Sequence, residues 1–294
     1  MNRGLRLGLL ALLSFTAAAS MLPLSAAWAQ DKVQVPSLDV AAGQAVVMPG
    51  FWFAAKVDGS APAMVLMHGC GGPYNKGLLA ERYTTLAARL NALGVHALVP
   101  DSLTPRGEKE LCTQRNGARR VTQTQRRRDA LGALQWLASQ PGVDASRLGL
   151  LGWSNGGSTV LAASNARHAE VAAAQVKPSL SVAFYPGCAS ELARGFESVA
   201  PLLLLVGKLD DWTPAAPCEQ LAQVSGGSGA SRIQLLVYEG AHHGFDGTAP
   251  VRLRRDVPNG VDPGRGVHVG GEPAARAASA LALQEFLRHQ WNLP

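Results

Sequence analysis

The chain has 294 residues, of which 47% are hydrophobic and 16% are charged, with 32 glycines and 18 prolines. This composition excludes a disordered or collagen-like chain and supplies enough apolar side chains for a sizeable core. The net charge of +6 is mild for this length, and the absence of a lysine and arginine block gives no reason to expect a nucleic-acid partner. We expect one large globular domain over residues 30–294.

The first 29 residues have the pattern of a secretory signal peptide. Arg3 and Arg6 give a positively charged start, and an uncharged, mostly apolar stretch follows over residues 7–22. Ala27-Trp28-Ala29 then fits the small-x-small pattern of a signal-peptidase site. We expect cleavage before Gln30 and a periplasmic or secreted mature chain without stable membrane association. The alternative is an uncleaved anchor, because the 23 uncharged residues that end at Ala29 could just span a bilayer.

Short apolar runs alternate with helical patterns along the mature chain. Helices are predicted over residues 121–140, 155–167 and 273–291, and we interpret the three arginines at 126–128 as a solvated part of the first helix. The apolar runs lack clear alternation, which is typical of parallel strands covered on both faces. These runs are residues 51–55, 63–68, 95–99, 148–153, 180–185, 201–207 and 233–239. The pattern predicts an α/β fold with a mostly parallel central sheet and helices on both faces.

Two further stretches are predicted to be loops. Residues 225–231 are rich in glycine and serine and are interpreted as a surface turn. Residues 246–271 are rich in proline and glycine and are long for a connection in a compact domain, which indicates a functional loop near the site.

The sequence G-W-S-N-G-G at residues 152–157 predicts a nucleophilic serine. An apolar strand leads into it and a helix-compatible segment leads out, which is the setting of a nucleophile elbow. The glycines allow the sharp turn that exposes Ser154 Oγ, and the helix N-terminus places positive potential beside developing negative charge. The alternative is a tight glycine turn without catalytic meaning.

A serine needs a base to act as a nucleophile, and the histidines that follow the last apolar run are the candidates. Both His242 and His243 lie where catalytic groups gather in an open α/β sheet, and spacing alone does not choose between them. Asp210 and Asp211 follow the apolar run at 201–207 and are candidates for the acid that orients the base. The order serine, aspartate, histidine is the α/β-hydrolase order.

The small-residue loop H-G-C-G-G at residues 68–72 follows another predicted strand. Such a loop lets backbone N–H groups point at a substrate oxygen. We expect an oxyanion hole formed by the N–H of Asn155 and the N–H of Cys70, or else Gly71. The alternative is a flexible loop.

Together these motifs resemble the dienelactone hydrolase family of α/β hydrolases over most of residues 50–290. The supporting sequences are H-G-C-G-G at 68–72, D-S-L-T-P-R-G at 101–107, G-W-S-N-G-G at 152–157, Y-P-G-C at 185–188, G-K-L-D-D-W-T-P at 207–214 and A-H-H-G-F at 241–245. The family patterns G-x-x-D and A-x-H-x-F fall on Asp210 and His243, so the resemblance implies these two residues as acid and base. Dienelactone hydrolase itself uses a cysteine nucleophile where this chain has Ser154. The resemblance therefore implies the α/β-hydrolase fold and the triad, but not a dienelactone substrate.

The predicted function is that of an exported serine hydrolase which cleaves a small-molecule carboxylic ester, lactone or thioester through an acyl-enzyme. The chemistry implies no metal and no organic cofactor. Two alternatives stay open: a peptidase on the same fold, and a non-catalytic binding protein that retains the fold.

The four cysteines, Cys70, Cys112, Cys188 and Cys218, all lie in the predicted mature chain. In an oxidising compartment an even number favours two disulfides, with three possible connectivities, and the absence of C-x-x-C spacing disfavours a zinc site. In an α/β-hydrolase sheet the strands before Cys70 and Cys112 are neighbours, as are those before Cys188 and Cys218. Neighbouring strands lie ~4.8 Å apart, which suits a disulfide. We predict Cys70–Cys112 and Cys188–Cys218; the alternative is four free thiols.

Overall fold

The computed structural model describes Met1 and residues 30–41, 43–224 and 233–294. The predicted signal peptide, apart from Met1, and the predicted turn at 225–231 lie outside this described part. Among the helices that are described, none is long and apolar enough to cross a membrane.

An eight-stranded sheet forms the centre of the domain, in the spatial order β1-β2-β6-β3-β7-β8-β9-β10. The twelve strands in the described residues are β1 (Asp31–Ala41), β2 (Gln44–Phe53), β3 (Ala61–Met67), β4 (Tyr74–Asn75), β5 (Leu78–Leu79), β6 (His96–Pro100), β7 (Val143–Trp153), β8 (Leu180–Phe184), β9 (Leu202–Gly207), β10 (Ile233–Tyr238), β11 (Arg252–Arg254) and β12 (Val267–Val269). Strands β1 and β2 pair antiparallel, as do β2 and β6, and the other neighbours in the sheet are parallel. The pairs β4–β5 and β11–β12 form two small separate sheets.

Helices cover both faces of the sheet. They are α1 (Glu81–Ala92), α2 (Gln123–Ala138), α3 (Asn155–Ser164), α4 (Ala169–Ala173), α5 (Ala189–Arg194), α6 (Ala216–Val224) and α7 (Pro273–Trp291), with short 3₁₀ turns at Thr104–Arg106 and Asn116–Ala118. One core cluster joins the sheet to α2, α3 and α6 through residues such as Leu134, Leu161 and Leu221. The other joins it to α1 and α7 through residues such as Leu90 and Leu287. The predicted α/β-hydrolase fold, with a mostly parallel sheet between helical layers, is confirmed.

The burial of the inner strands explains why the sequence pattern predicted them. Every residue of β3, β6 and β9 is buried, so these strands appear as uninterrupted apolar runs. Strand β1, which the apolar runs did not predict, is an edge strand with alternating burial and a register shift between Pro36 and Val40. Because charged and polar residues interrupt its apolar positions, β1 does not form an apolar run and was not predicted.

The interpretation of the three arginines at the start of α2 as solvated is wrong. Arg126 is fully buried and Arg127 is 8% exposed, while Arg128 is half-buried. Arg126 contacts the loop at 68–72 and the start of α3, and the other two arginines pair with Glu170. These partners lie in distant segments of the chain, so the sequence pattern of the helix did not reveal them.

The structure contains both disulfides with the pairing that the neighbouring strands led us to expect. Cys70 bonds Cys112 with a Cα–Cα distance of 5.0 Å, and Cys188 bonds Cys218 with 5.1 Å. Strand β3 lies beside β6, and β8 beside β9, as that argument requires.

Candidate active site

The predicted nucleophile Ser154 lies in a sharp turn between β7 and α3. Its backbone has φ 55° and ψ −119°, a conformation that is strained for a residue with a side chain. The flanking glycines make the turn possible, because a Cβ at Gly152 would overlap the Gly156 carbonyl and a Cβ at Gly156 would overlap the carbonyl oxygen of Met67. The sequence G-x-S-x-G therefore has the geometry of a nucleophile elbow.

Three side chains form a continuous hydrogen-bonded chain at this turn. His243 Nε2 lies 2.8 Å from Ser154 Oγ, and His243 Nδ1 lies 2.8 Å from Asp210 Oδ2. Asp210 Oδ1 accepts further hydrogen bonds from the backbone N–H groups of Trp212 (2.9 Å) and Thr213 (2.8 Å). These donors hold the carboxylate in place, and the arrangement is that of a serine, histidine and aspartate triad.

The parallel sheet brings the three residues together from positions far apart in the chain. Ser154 follows β7, Asp210 follows β9 and His243 follows β10. These strands are parallel members of one sheet, so their carboxyl ends meet at the same edge.

The neighbouring candidates His242 and Asp211 face elsewhere. His242 Nδ1 lies 2.9 Å from the carbonyl oxygen of Leu209. Asp211 accepts hydrogen bonds from the backbone N–H of His268 (2.8 Å) and pairs with His268 Nδ1 (2.7 Å). The geometry thus favours His243 over His242 and Asp210 over Asp211, in agreement with the residues that the resemblance implies.

The loop at residues 68–72 runs directly beside the serine. A Cβ placed on Gly69 would lie 3.8 Å from Ser154 Cβ. The carbonyl oxygen of Gly69 accepts from His68 Nδ1 (2.8 Å) and from the N–H of Gly72 (3.3 Å), and that of Cys70 accepts from Leu111 N–H (2.7 Å). In a planar trans peptide the C=O and the following N–H point in opposite directions. The hydrogen bonds to the Gly69 carbonyl therefore also fix the direction in which the Cys70 N–H points.

The other predicted oxyanion donor is the N–H of Asn155. It belongs to the first turn of α3, where backbone N–H groups have no acceptor within the helix. The two predicted donors therefore belong to the two segments that adjoin Ser154, the loop at 68–72 and the first turn of α3.

His68 keeps the loop in this arrangement as a neutral ring. Burial, with a further contribution from the Arg126 charge, holds the pKa of His68 well below its ordinary value. Its Nε2 accepts from the N–H of Ser102 (3.2 Å), so Nδ1 carries the proton that is donated to the Gly69 carbonyl. The sequence motif contains His68, but its pattern gives no sign of this role.

Comparison with known families identifies the chain. The model described as the dienelactone hydrolase family matches residues 49–289. The chain belongs to this family. The resemblance drawn from the motifs is confirmed, and the protein is a hydrolase that acts on ester bonds.

Solved structures share the fold at low sequence identity. A dienelactone hydrolase-like promiscuous phosphotriesterase, P91, from metagenomic libraries is 21% identical, with a TM-score of 0.62, over 90% of this chain and 100% of that one. Esterase 2 of Thermogutta terrifontis, phosphorylated by paraoxon, is 15% identical, with a TM-score of 0.61, over 88% of this chain and 94% of that one. No curated protein matches the sequence.

Two long segments flank the candidate site of this dienelactone hydrolase family member. In the predicted functional loop at 246–271, Gly270 N–H donates to the carbonyl oxygen of His243 (3.0 Å). The same loop contacts the segment at 101–122, because Asn259 accepts from Asn116 N–H (3.1 Å) and donates to the Gln114 carbonyl (2.8 Å). The loop therefore lies against the site, as its length indicated.

Aromatic and hydroxyl groups around His243 were not predicted from the sequence. The ring centroids of Tyr185 and Trp212 lie 4.7 Å and 4.6 Å from that of His243. Thr213 Oγ1 lies 3.0 Å from each of Asp210 Oδ2, His243 Nδ1 and the Tyr185 carbonyl oxygen. Trp212 and Thr213 belong to the motif at 207–214. The sequence did not predict that they contact His243.

A second polar network lies behind the serine. Asp246 accepts from Trp153 Nε1 (2.9 Å) and Tyr185 Oη (2.7 Å) and pairs with Arg82 (3.2 Å). Arg82 also donates to Tyr185 Oη (2.7 Å). These groups come from α1, the ends of β7 and β8 and the loop after β10, so no local signal could have joined them.

No group of three or more histidine, cysteine, aspartate or glutamate side chains in the described part of the chain is arranged to hold a metal ion.

Proposed function

We propose that this family member is an exported serine hydrolase which cleaves a small-molecule carboxylic ester, lactone or thioester through an acyl-enzyme. The observation that carries the proposal is the hydrogen-bonded chain from Ser154 Oγ through His243 to Asp210, at a strained elbow between β7 and α3. These parts together are what nucleophilic acyl transfer requires.

In the proposed reaction, His243 Nε2 takes the proton of Ser154 Oγ as that oxygen attacks the substrate carbonyl carbon. The carbonyl π electrons move to the oxygen, whose negative charge is bound by the N–H groups of Cys70 and Asn155. Asp210 stabilises the imidazolium that forms. When the intermediate collapses, the C–O or C–S bond to the leaving group breaks and His243 gives that group its proton. A water activated by His243 then releases the acid and restores Ser154.

Substitution of the triad tests this assignment. Ser154→Ala, Asp210→Asn and His243→Ala are each expected to lower the hydrolysis rate of p-nitrophenyl butyrate, by a factor on the order of 10⁴. His242→Ala is the matched control, since its ring faces the Leu209 carbonyl, and we expect a much smaller effect. A fully active His243→Ala enzyme beside an inactive His242→Ala enzyme would show that the base is misassigned.

Labelling with a fluorophosphonate separates an enzyme from a binding protein that retains the fold, since only an activated serine should react. We expect one adduct on Ser154 and none in Ser154→Ala. The phosphorylated Thermogutta esterase, of the same fold, shows the kind of adduct expected. A panel of esters of varied acyl length, lactones, thioesters and aminoacyl amides then decides between ester and peptide chemistry; efficient cleavage of the amides alone would favour the peptidase.

The proposal of export rests on residues 1–29 and is supported by the two disulfides, which persist in oxidising compartments. We expect protein from a secreting host to begin near Gln30 and to be recovered from the periplasm or the medium. Intact-mass measurement checks this, and a full-length membrane-bound species would overturn it.

A further inference from the structure

A single guanidinium group connects the two segments that provide the proposed oxyanion donors. Arg126, in the first half of α2, donates to the carbonyl oxygen of His68 (2.7 Å), two residues before Cys70. It also donates to the side-chain Oδ1 of Asn155 (2.5 Å). One side chain therefore holds both the loop at 68–72 and the first turn of α3.

The charge of Arg126 has no close counter-ion. The adjacent Arg127 and Arg128 both pair with Glu170, at 2.7 Å. Arg126 is fully buried and forms no ion pair within 4.0 Å in the described part of the chain. Burial lowers the pKa of Arg126 to about 10, although the charge of Asp129 acts to raise it, so the group stays charged at neutral pH.

Burying an unpaired cation is unfavourable, so its location calls for a physical reason. Its two acceptors are neutral oxygens, and its Nε has no partner among the described residues. In the resting enzyme Asp129 attracts this charge from beyond ion-pair distance and is itself paired with Arg106. A negative charge that develops on a substrate oxygen beside Cys70 and Asn155 would neutralise the Arg126 charge further, away from bulk water.

We propose that Arg126 is a positioning residue of the oxyanion hole, which orients both N–H donors through His68 and Asn155 and stabilises the oxyanion with its buried charge. This inference rests on the proposed function. Arg126 acts through the groups that it holds and need not touch the substrate. Because its charge favours the tetrahedral intermediate over the neutral ester, it contributes to the rate of the chemical step more than to substrate binding.

Two substitutions of Arg126 separate charge from geometry. Loss of a direct oxyanion donor lowers kcat by about 10²–10³-fold, so for Arg126→Gln we expect about 10–100-fold, with KM changed less than about threefold. Arg126→Lys keeps the charge but not the two-pronged contact, and should retain an intermediate kcat. Arg127→Gln is the matched control on the same helix: it breaks the pair with Glu170 and should keep kcat within about twofold.

The inhibition constant of a transition-state analogue distinguishes stabilisation of the oxyanion from a purely structural role of Arg126. A trifluoromethyl ketone forms a tetrahedral adduct with the serine and carries an oxyanion, whereas the product carboxylic acid does not. Across wild type, Arg126→Lys and Arg126→Gln, we expect the inhibition constant of the ketone to rise in proportion to the loss of kcat/KM. The inhibition constant of the acid should stay within about threefold. Equal weakening of both inhibitors, or a kcat of Arg126→Gln within twofold of the Arg127→Gln control, would overturn the inference.

Asn155→Ala decides the matter if the Arg126 variants do not fold. It removes one of the two acceptors of Arg126, at a half-buried helix start, and keeps the backbone N–H of residue 155. A fall in kcat of about fivefold or more at unchanged KM supports the inference, and activity within twofold of wild type refutes it. The proposed function fails separately, since it requires that wild type hydrolyse esters and be labelled at Ser154 whatever Arg126 does.

Discussion

At the scale of single residues, Thr213 is the hydroxyl that touches both the proposed base and the proposed acid. Its Oγ1 lies 3.0 Å from His243 Nδ1 and from Asp210 Oδ2, and it is also within reach of the Tyr185 carbonyl. The backbone N–H of Thr213 holds the other carboxylate oxygen. The residue therefore fixes the position of Asp210 by two groups at once.

Thr213→Val should lower kcat by about tenfold, because it keeps the shape and the backbone N–H but removes the hydroxyl beside the His243–Asp210 pair. Thr213→Ser restores the hydroxyl and should recover most of the activity. Steady-state kinetics with p-nitrophenyl butyrate measure both variants. Equal kcat values for the valine and serine variants would mean that the hydroxyl has no influence on the triad.

At the scale of elements, the segment at 101–122 is attached to the oxyanion loop. Cys70, Cys112, Leu103, Leu111 and Val121 form a small apolar cluster of their own, separate from the two main cores. The cluster is closed by the Cys70–Cys112 disulfide and by the Leu111 N–H bond to the Cys70 carbonyl. The disulfide thus braces the peptide that carries the Cys70 N–H.

Removing each bridge by paired alanine substitutions should affect stability and activity differently. Cys70→Ala/Cys112→Ala and Cys188→Ala/Cys218→Ala are each expected to lower the free energy of unfolding by about 2–4 kcal/mol. The first pair should also reduce kcat several-fold, while the second should leave kcat nearly unchanged in the folded enzyme. Urea unfolding and ester kinetics on the same samples test this. The prediction fails if the two double variants lose activity to the same extent.

At the scale of the whole molecule, an ion-pair network fastens the edge strand to the helical layer. Asp39 of β1 pairs with Arg106 (2.9 Å) and Arg128 (3.1 Å), and Arg106 also pairs with the fully buried Asp129 (2.8 Å). Burial acts to raise the pKa of Asp39, but hydrogen bonds from Arg106 and Arg128 outweigh it and lower the pKa below its ordinary value. The network connects β1, the segment after β6 and α2.

Because the folded pKa of Asp39 is lowered, its contribution to stability is present above the unfolded pKa of about 4 and is lost as the pH falls through the folded value. Asp39→Asn should lower the free energy of unfolding at pH 7 by about 1–2 kcal/mol, since Arg106 and Arg128 each lose one of their two carboxylate partners. The difference from wild type should shrink as the pH is lowered from 5 to 3. Urea titrations across this range, with exposed Asp58→Asn as control, measure the effect. A difference that is constant with pH would exclude a role for the Asp39 charge.

The sequence by itself determined the inner strands of the central sheet and the positions of the candidate catalytic residues. Inner strands such as β3, β6 and β9 are buried on both faces, so each forms an uninterrupted apolar run in the sequence. The turn at Ser154 was also predicted, because a strained turn between strand and helix admits only glycine at positions such as 152 and 156. Helix α7 (Pro273–Trp291) was predicted to the residue.

Spacing alone did not choose between adjacent side chains; the family patterns implied Asp210 and His243, and only the tertiary structure gives the physical reason. His242 and His243, like Asp210 and Asp211, are neighbours in the chain, and their different orientations depend on the path of each turn after its strand, which spacing does not encode. The same holds for Arg126, which contacts the loop at 68–72 and the start of α3, two segments far from it in the chain. A local sequence pattern predicts the burial of an element and the strain of a turn. It does not predict contacts between distant segments, because these form only when the sheet brings the segments together.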